Sequence, residues 1–360
     1  MYDITVIMPA HNEGKYIRES IESIIGQTFG FNRLQLILAD DASTDDTLKI
    51  MKEYESKYSN IKVITFEEKT GSAGKPRNEA IKCADGKYLM FIDADDLYEL
   101  DACEKMYNCI EEKHTDFVTA NSIDMNEEKQ KYEKPFIDLE KYPSQYIEIS
   151  SIKDDVLPMT CSACFKIFST EFVKRNNLKF LEGCPAEDSY FSYSSLIAAK
   201  KCYYNSDIIY NYRRRYSEGN LSISTNFSFE YFEKINYAYN KIYEKFRENG
   251  FIKYYRAYYL NSVMYVLFNL IDSNKISNDE KIDVLKMIRW LIKLCEELNI
   301  KIKEVEDNSG VIALMNFVIN EDYQKAIDLL DEISRKRSCM TKEEDDEQKS
   351  QLKKRIKESF

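Results

Sequence analysis

The chain of 360 residues, 44% of them hydrophobic, can bury a sizeable core, and its length allows a catalytic-size domain plus a smaller partner. A formal net charge of −11 and a sequence pI near 5.1 argue against a nucleic-acid partner or an acidic membrane held by phosphate neutralisation, and no basic tract escapes that average. The opening residues enter a strand with no basic or apolar leader, and the most apolar helical stretch, 254–271, is interrupted by Arg256, Asn261 and Asn269, so neither a signal peptide nor a transmembrane segment is expected. The reading is of a cytoplasmic protein, with peripheral contact at the inner face of a membrane left open.

From Ile4 to Met8 the chain is β-branched or apolar. Pro9, Ala10, His11, Asn12 and Glu13 then break the strand, and Ile17, Ile21 and Ile24 recur at helical spacing. Leu34 to Ala39 repeats the pattern and runs into the acidic loop Asp40 to Asp46, where Ser43 is an N-cap candidate for the next helix. A third strand, Ile61 to Phe66, leads into a Gly-rich basic segment from Gly71 to Arg77 and a short helix that Gly86 can end. The fourth, Tyr88 to Ile92, is almost wholly apolar, as a strand buried on both faces should be, and it stops at Asp93, Asp95 and Asp96. Strands and helices alternating at this spacing predict an α/β architecture: a mostly parallel sheet, flanking helices, and ligands at the carboxyl ends of the strands. The loops at 9–13, 40–46 and 93–96 then share one edge of the sheet.

Three carboxylates at a strand end are costly unless something positive sits there. An isolated Asp-x-Asp is most often a solvated turn. The convergence of three polar loops favours a ligand instead: a hard divalent cation, with coordination sites left for a second anion such as a pyrophosphate. Nine cysteines scattered from Cys83 to Cys339 read as reduced core thiols. Cys161 and Cys164 have metal-ligand spacing, but no second pair or nearby His follows, which favours structural thiols. His114 ends a helix, where a positive charge is favourable.

These residues resemble the inverting family 2 glycosyltransferases of GT-A fold, common in bacterial surface-polysaccharide, teichoic-acid and glycoprotein assembly. The likeness covers roughly residues 3 to 225 through five segments. They are Pro9 to Glu13, Asp40 to Thr47, the Gly-rich stretch ending in Arg77 and Asn78 together with the Asp93-Ala94-Asp95 strand end, Glu187 with Asp188, and Tyr210 to Arg215. The resemblance implies a Rossmann-like GT-A catalytic domain over residues 1–225 that binds a UDP-sugar. Pro9, Ala10, His11, Asn12, Glu13 and Ala94 would line the donor, and Asp41 would meet the uracil. Mn²⁺ or Mg²⁺ would sit on Asp95, with Asp93 supporting the metal or the ribose. Arg77 and one or more of Arg213, Arg214 and Arg215 would grip the phosphates as bidentate partners. Asp188 would be the catalytic base, with Glu187 orienting it or the acceptor, and partial desolvation at a helix start would raise Asp188 toward a useful pKa. Single displacement with inversion is implied. The pattern departs at His11, where Tyr is frequent, and at Lys75 and Pro76, where small residues are usual; His11 reads as stacking near the base.

The implied acceptor is a hydroxyl of a surface glycan, a teichoic-acid-like polymer or a protein, lined by residues between Phe117 and Lys166. A sugar-1-phosphate nucleotidyltransferase would need a Gly-rich, basic loop straight after the first strand, which residues 9–13 do not provide. A non-catalytic nucleotide-sugar-binding scaffold would be expected to have lost a motif. After about residue 225 the character turns helical. Phe232, Ile235, Tyr239, Ile242 and Phe246 repeat at three-and-four spacing, as do Ile282, Leu285, Ile288, Ile292 and Cys295 behind a capping box from Ser277 to Glu280. An α-helical C-terminal domain over 226–338 for acceptor binding or oligomerisation is expected, then a charged, solvated helical tail over 339–360. The tyrosines from Tyr231 to Tyr265 read as core, or as an acceptor or homo-oligomer surface.

Overall fold

The computed structural model describes residues 1–126, 131–140, 142–147, 161–214, 227–252, 256–273, 275–298, 307 and 309–358. The chain forms two compact units, one from Met1–Ser151 with Leu157–Asn220 and the other largely from Leu221–Phe360.

The first unit is built on a ten-stranded sheet among the described residues. Its strands are β1 (Tyr2–Ala10), β2 (Leu34–Asp40), β3 (Ile61–Thr65), β4 (Gly86–Phe91), β5 (Leu97–Tyr98), β6 (Phe117–Asn126), β7 (Lys131–Pro135), β8 (Gln145–Ile147), β9 (Lys166–Ser169) and β10 (Cys202–Arg214). The main path runs β3-β2-β1-β4-β9-β6-β10-β5, with β7 on β6 and β8 on β10. From β3 to β4 every pairing is parallel, and β2 is buried along its whole length, as its unbroken apolar run requires. Beyond β4 the sheet is mixed rather than mostly parallel, because β9 lies antiparallel between β4 and β6. The four residues of β9 are too few to show a period in sequence.

Three local expectations change for physical reasons. Strand β1 continues through Pro9 to Ala10, because Pro9 points toward β4 where that pairing has already ended at Ile7, so no ladder partner lacks a donor. Ser43 does not cap α2 (Thr47–Lys57); its hydroxyl accepts the Asn12 N–H at 3.0 Å, while Asp45 accepts the Thr47 N–H at 2.9 Å. Gly86 opens β4 instead of ending α3 (Gly74–Lys82), since a Cβ there would come within 2.4 Å of the Thr5 amide nitrogen across the β1–β4 contact.

Helices α1 (Ile17–Ile25), α4 (Ala102–Lys113), α5 (Thr170–Arg175) and α6 (Glu187–Ala198) complete the unit. His114 is the left-handed C-cap of α4. Phe191 of α6 is fully buried, stacks on Phe180 at 4.0 Å, and meets Phe168 and Phe91 at 5.2 and 5.7 Å. This aromatic cluster seats the start of α6 over β4 and β9. Of the stretch expected to line the acceptor, residues 127–130, 141 and 148–160 lie outside the described residues.

The second unit consists of α7 (Phe229–Glu248), α8 (Arg256–Asp272), α9 (Asn278–Glu297), α10 (Val311–Ile319), α11 (Tyr323–Ser338) and α12 (Lys342–Glu358). The capping box forms: Ser277 and Glu280 exchange hydrogen bonds at the start of α9. Among the described tyrosines of this stretch, Tyr231, Tyr239 and Tyr259 are core, Tyr243, Tyr258 and Tyr265 are half-buried, and Tyr237 is exposed. Helix α12 is charged and largely exposed among its described residues, and it is anchored where Leu352 is buried and where Arg337, which also meets Asp272 at 2.8 Å, pairs with Asp345 at 2.6 Å. No helix among the described residues is long and apolar enough to cross a membrane.

Candidate active site

The loops after β1 and β2 are knitted together by side chains that satisfy each other's backbone. Asn12, in the left-handed region at φ 58°, accepts the Thr44 N–H at 2.8 Å. Glu13 and Gly14 donate their N–H groups to Thr47 Oγ1 at 2.8 Å and Asp45 Oδ2 at 2.9 Å. Burial works against ionisation of Asp45, but the donors on Thr47 and Gly14 prevail and hold its carboxyl below the ordinary range. His11 Nδ1 lies 2.7 Å from the Asp41 carbonyl oxygen, which makes Nδ1–H the donor and fixes the tautomer. Asp41 is buried and accepts the Thr70 N–H at 2.8 Å, while its own N–H donates to the Ala10 carbonyl. A floor of two interlocked loops results.

The carboxylate loop after β4 is held from three sides. Tyr210 Oη donates to Asp96 Oδ2 at 2.7 Å and accepts the Asp93 N–H at 3.2 Å. Arg213 gives its N–H to Asp96 Oδ1, its Nε to the Asp95 carbonyl and its Nη2 to Glu19, each at 2.7 Å. Ser20 of α1 donates to the Ala94 carbonyl at 2.9 Å. Asp96 is almost wholly buried, and burial, then Asp95 and Asp93, push its carboxyl well above the ordinary range. It is an internal brace. Asp93 and Asp95 are the carboxylates of this loop that remain partly exposed.

Arg77 connects this loop to the start of α6. It is only 3% exposed, and its Nη2 meets Asp93 at 2.6 Å while Nη1 meets Glu187 at 3.0 Å. Burial opposes the guanidinium charge, and the surrounding acids together, Asp93 first and then Glu187 and Asp188, outweigh that cost. The adjacent Asn78 clasps Phe180, accepting its N–H at 2.9 Å and donating to its carbonyl at 3.0 Å, which ties α3 to the segment preceding α6. Gly74 is required here, because a Cβ would fall 1.8 Å from the Leu181 carbonyl oxygen. Burial, then Asp188, push Glu187 up to about 7. Asp188 is also raised, by burial first and against the pull of Arg77, and it accepts the Ser189 N–H at 2.7 Å.

The structure therefore brings the segment 9–14, Asp41, Arg77, Asp93, Asp95, Glu187, Asp188 and Arg213 to one end of one sheet. Arg77 and Arg213 are both buried: Arg77 bridges Asp93 and Glu187, and the Arg213 side chain bridges Glu19 and the Asp95 carbonyl. Arg214 pairs with Asp124 at 2.9 Å, and Arg215 lies outside the described residues. His11 hydrogen-bonds the neighbouring loop. Tyr210 and Asn78 were visible in sequence only as members of motifs, and their anchoring roles depend on partners more than 100 positions away. Among the described residues no group of three or more His, Cys, Asp or Glu side chains is arranged to hold a metal ion. The donor set of Asp93 and Asp95 still suits Mg²⁺ or Mn²⁺, which takes one or two carboxylates and completes its shell with phosphate oxygens and water.

Residues 5–175 match the model of glycosyl transferase family 2. Over those residues, just under half of its length, the chain is similar to that family. Its similar relatives include the poly(ribitol-phosphate) beta-glucosyltransferase of Bacillus spizizenii, 29% identical over 61% of this chain and 34% of that protein. Another is the poly(ribitol-phosphate) beta-N-acetylglucosaminyltransferase TarS of Staphylococcus aureus, 30% identical over 59% of this chain and 35% of that protein. The chain thus spans about a third of the length of these curated relatives. The crystal structure of S. aureus TarS 1-349 in complex with UDP-GlcNAc is similar at a TM-score of 0.65 and 22% identity, covering 91% of this chain and 90% of that one. The family 2 domain and the helices that follow it therefore share a fold with TarS.

Proposed function

We propose that this protein is an inverting, metal-dependent glycosyltransferase that moves a sugar from a UDP-sugar to a hydroxyl of a teichoic-acid-like polymer, another surface glycan or a protein. The observation that carries the reading is the chain Asp93–Arg77–Glu187, which joins the carboxylate loop at the end of β4 to the raised carboxyl pair at the start of α6. The UDP-GlcNAc in the TarS complex supports the donor class, and the names of the relatives favour a polyol-phosphate acceptor.

In this reading the nucleotide rests on the interlocked loops after β1 and β2, with Asp41 at the base and Pro9 to Glu13 beneath it. Mn²⁺ or Mg²⁺ held by Asp95 with Asp93 would supply Lewis-acid stabilisation of the departing diphosphate. Asp188 takes the proton of the acceptor hydroxyl as its oxygen attacks the anomeric carbon. The sugar–phosphate C–O bond breaks with its electron pair passing to the diphosphate, so the configuration inverts. Burial suits Asp188 to this task, since a raised carboxylate is a stronger base. Glu187 and Arg77 orient it. The enzyme would work in the cytoplasm, and the helical unit would serve the acceptor or self-association.

A screen of UDP-sugars with and without Mn²⁺ tests the proposal, reading thermal stabilisation and then release of UDP with a ribitol-phosphate polymer as acceptor. Stabilisation by a UDP-sugar and metal-dependent release are expected. Failure of every UDP-sugar to stabilise the folded protein would sink the donor assignment.

A further inference from the structure

Lys166, the first residue of β9, is completely buried and donates through Nζ to the Ser162 carbonyl. An ammonium removed from water is costly unless an opposite charge compensates it. The register of the sheet shows where that charge is. Lys166 pairs with Thr119 and Phe168 with Phe117, so Lys166 and Phe168, two apart on one strand, share a face. The Phe168 ring on that face packs against Phe191 of α6 at 5.2 Å. Asp188 precedes Phe191 by three positions on the same helix, one turn toward the loop end where Lys166 lies.

We propose that Lys166 is a positioning residue for the acceptor-activating carboxylate: its buried charge faces Asp188, keeps it in the proton-accepting form, and pins the turn at Ser162 beside it. The inference rests on the base assignment made above for Asp188. The groups around the pair are Glu187 on the same helix, Arg77 from α3, Asp93 after β4, and Cys161 and Cys164 from the turn before β9. Both thiols are raised from their ordinary value, Cys164 by full burial, so neither adds a charge at neutral pH. Burial draws the Lys166 ammonium down to about 8, and Asp188 is the neighbour whose charge opposes that at neutral pH. The effect is mutual, for Lys166 in turn lowers the Asp188 carboxyl against the upward push of burial. Arg77 alone would serve Glu187 and Asp93 first, since both accept its hydrogen bonds.

The test is a pH titration of the Asp188 carboxyl by ¹³C NMR in full-length protein labelled at aspartate, with Asp188→Asn identifying the signal. The acid limb of the transfer rate is measured alongside. Removing a cation beside a carboxylate raises its pKa, so Lys166→Met should move the Asp188 midpoint and the acid limb to higher pH by about one unit. Lys166→Arg should keep both near the parental value, and UDP affinity should be unchanged in each. Should Lys166→Met fail to fold, Lys166→Gln keeps a donor for Ser162 without the charge and gives the same comparison. A midpoint that stays in place, or a rate lowered equally at every pH, would show a packing role only and overturn the proposal. Asp188→Asn separates the two readings: if it abolishes transfer while Lys166→Met leaves the midpoint alone, only the lysine assignment falls. Near-parental transfer by Asp188→Asn removes the base reading and the lysine proposal with it.

Discussion

The carboxylates after β4 and the pair that opens α6 are held in different ways. Donors from β10, α1 and α3 tie down the first group: the Arg213 N–H and Tyr210 hydroxyl on Asp96, the Ser20 hydroxyl on the Ala94 carbonyl, and Arg77 on Asp93. Such a loop is set before a ligand arrives, and the negative charge left on Asp93 and Asp95 invites a hard cation. Glu187 and Asp188 lie instead against the aromatic cluster of Phe180 and Phe191, and burial leaves both carboxyls above their ordinary range. Asp93 and Asp95 stay partly exposed and open to a cation, whereas Asp96, Glu187 and Asp188 are all raised by burial and hold a proton more readily. Environment, not residue type, assigns the two chemistries.

The contrast is broken most severely at Asp95. Asp95→Ala removes the proposed metal carboxylate without touching Asp96, which braces the loop. Transfer should fall by roughly a thousandfold or more, because the charge stabilisation supplied by a catalytic ion is worth several kcal/mol. Calorimetry should also show that Mn²⁺ no longer strengthens UDP-sugar binding. Parental metal and UDP binding in this variant would show that the first group has another role.

Next in size is Asp188→Asn, which keeps the side-chain shape and removes the basic lone pair. The expected outcome is a kcat lowered by about 10²-fold or more with donor affinity little changed. If donor affinity fell as far as the rate, the two groups would be acting as one binding site and the distinction drawn above would fail.

What could be read in the sequence follows the same division. The loop residues of the first group were legible because each ends an apolar strand, and a buried strand of five or six residues announces itself: Leu34 to Ala39 falls inside β2, and Tyr88 to Ile92 overruns the end of β4 by one residue. Glu187 and Asp188 were legible only through the resemblance to a family, since an acidic pair at a helix start is otherwise ordinary. The antiparallel β9 was not legible, being four residues long and carrying a lysine in an apolar run. Arg77 was read as a phosphate ligand because its partners, Asp93 and Glu187, stand 16 and 110 positions away. Local pattern does not report which of several acids a buried guanidinium will choose.

Arg77 is the link between the two groups, and Arg77→Lys sharpens the comparison by weakening only that link. A lysine carries the charge but not the planar fork that reaches Asp93 and Glu187 together. Loss of one hydrogen bond to a charged partner, about 1.5–3 kcal/mol, should lower kcat/KM by roughly tenfold or more and reduce the melting temperature. UDP affinity should change less than the rate. A variant with full transfer rate would mean that the two groups do not need a rigid bridge.

The smallest effect is on stability, and it tests the raised carboxyl directly. Glu187 titrates at about 7 in the folded protein against an ordinary 4.5, with burial the main cause and Asp188 the next. Between those two values the folded chain holds a proton that the unfolded chain has released. The stabilisation from this group is therefore complete below about pH 4.5 and is lost as the pH rises through about 7. Glu187→Gln does not titrate, so its melting temperature should gain on that of the parent across this window and run parallel to it outside. Thermal denaturation from pH 4 to 8.5 provides the measurement. Parallel curves throughout would mean that Arg77 offsets burial and that Glu187 titrates in the folded protein as it does in the unfolded chain.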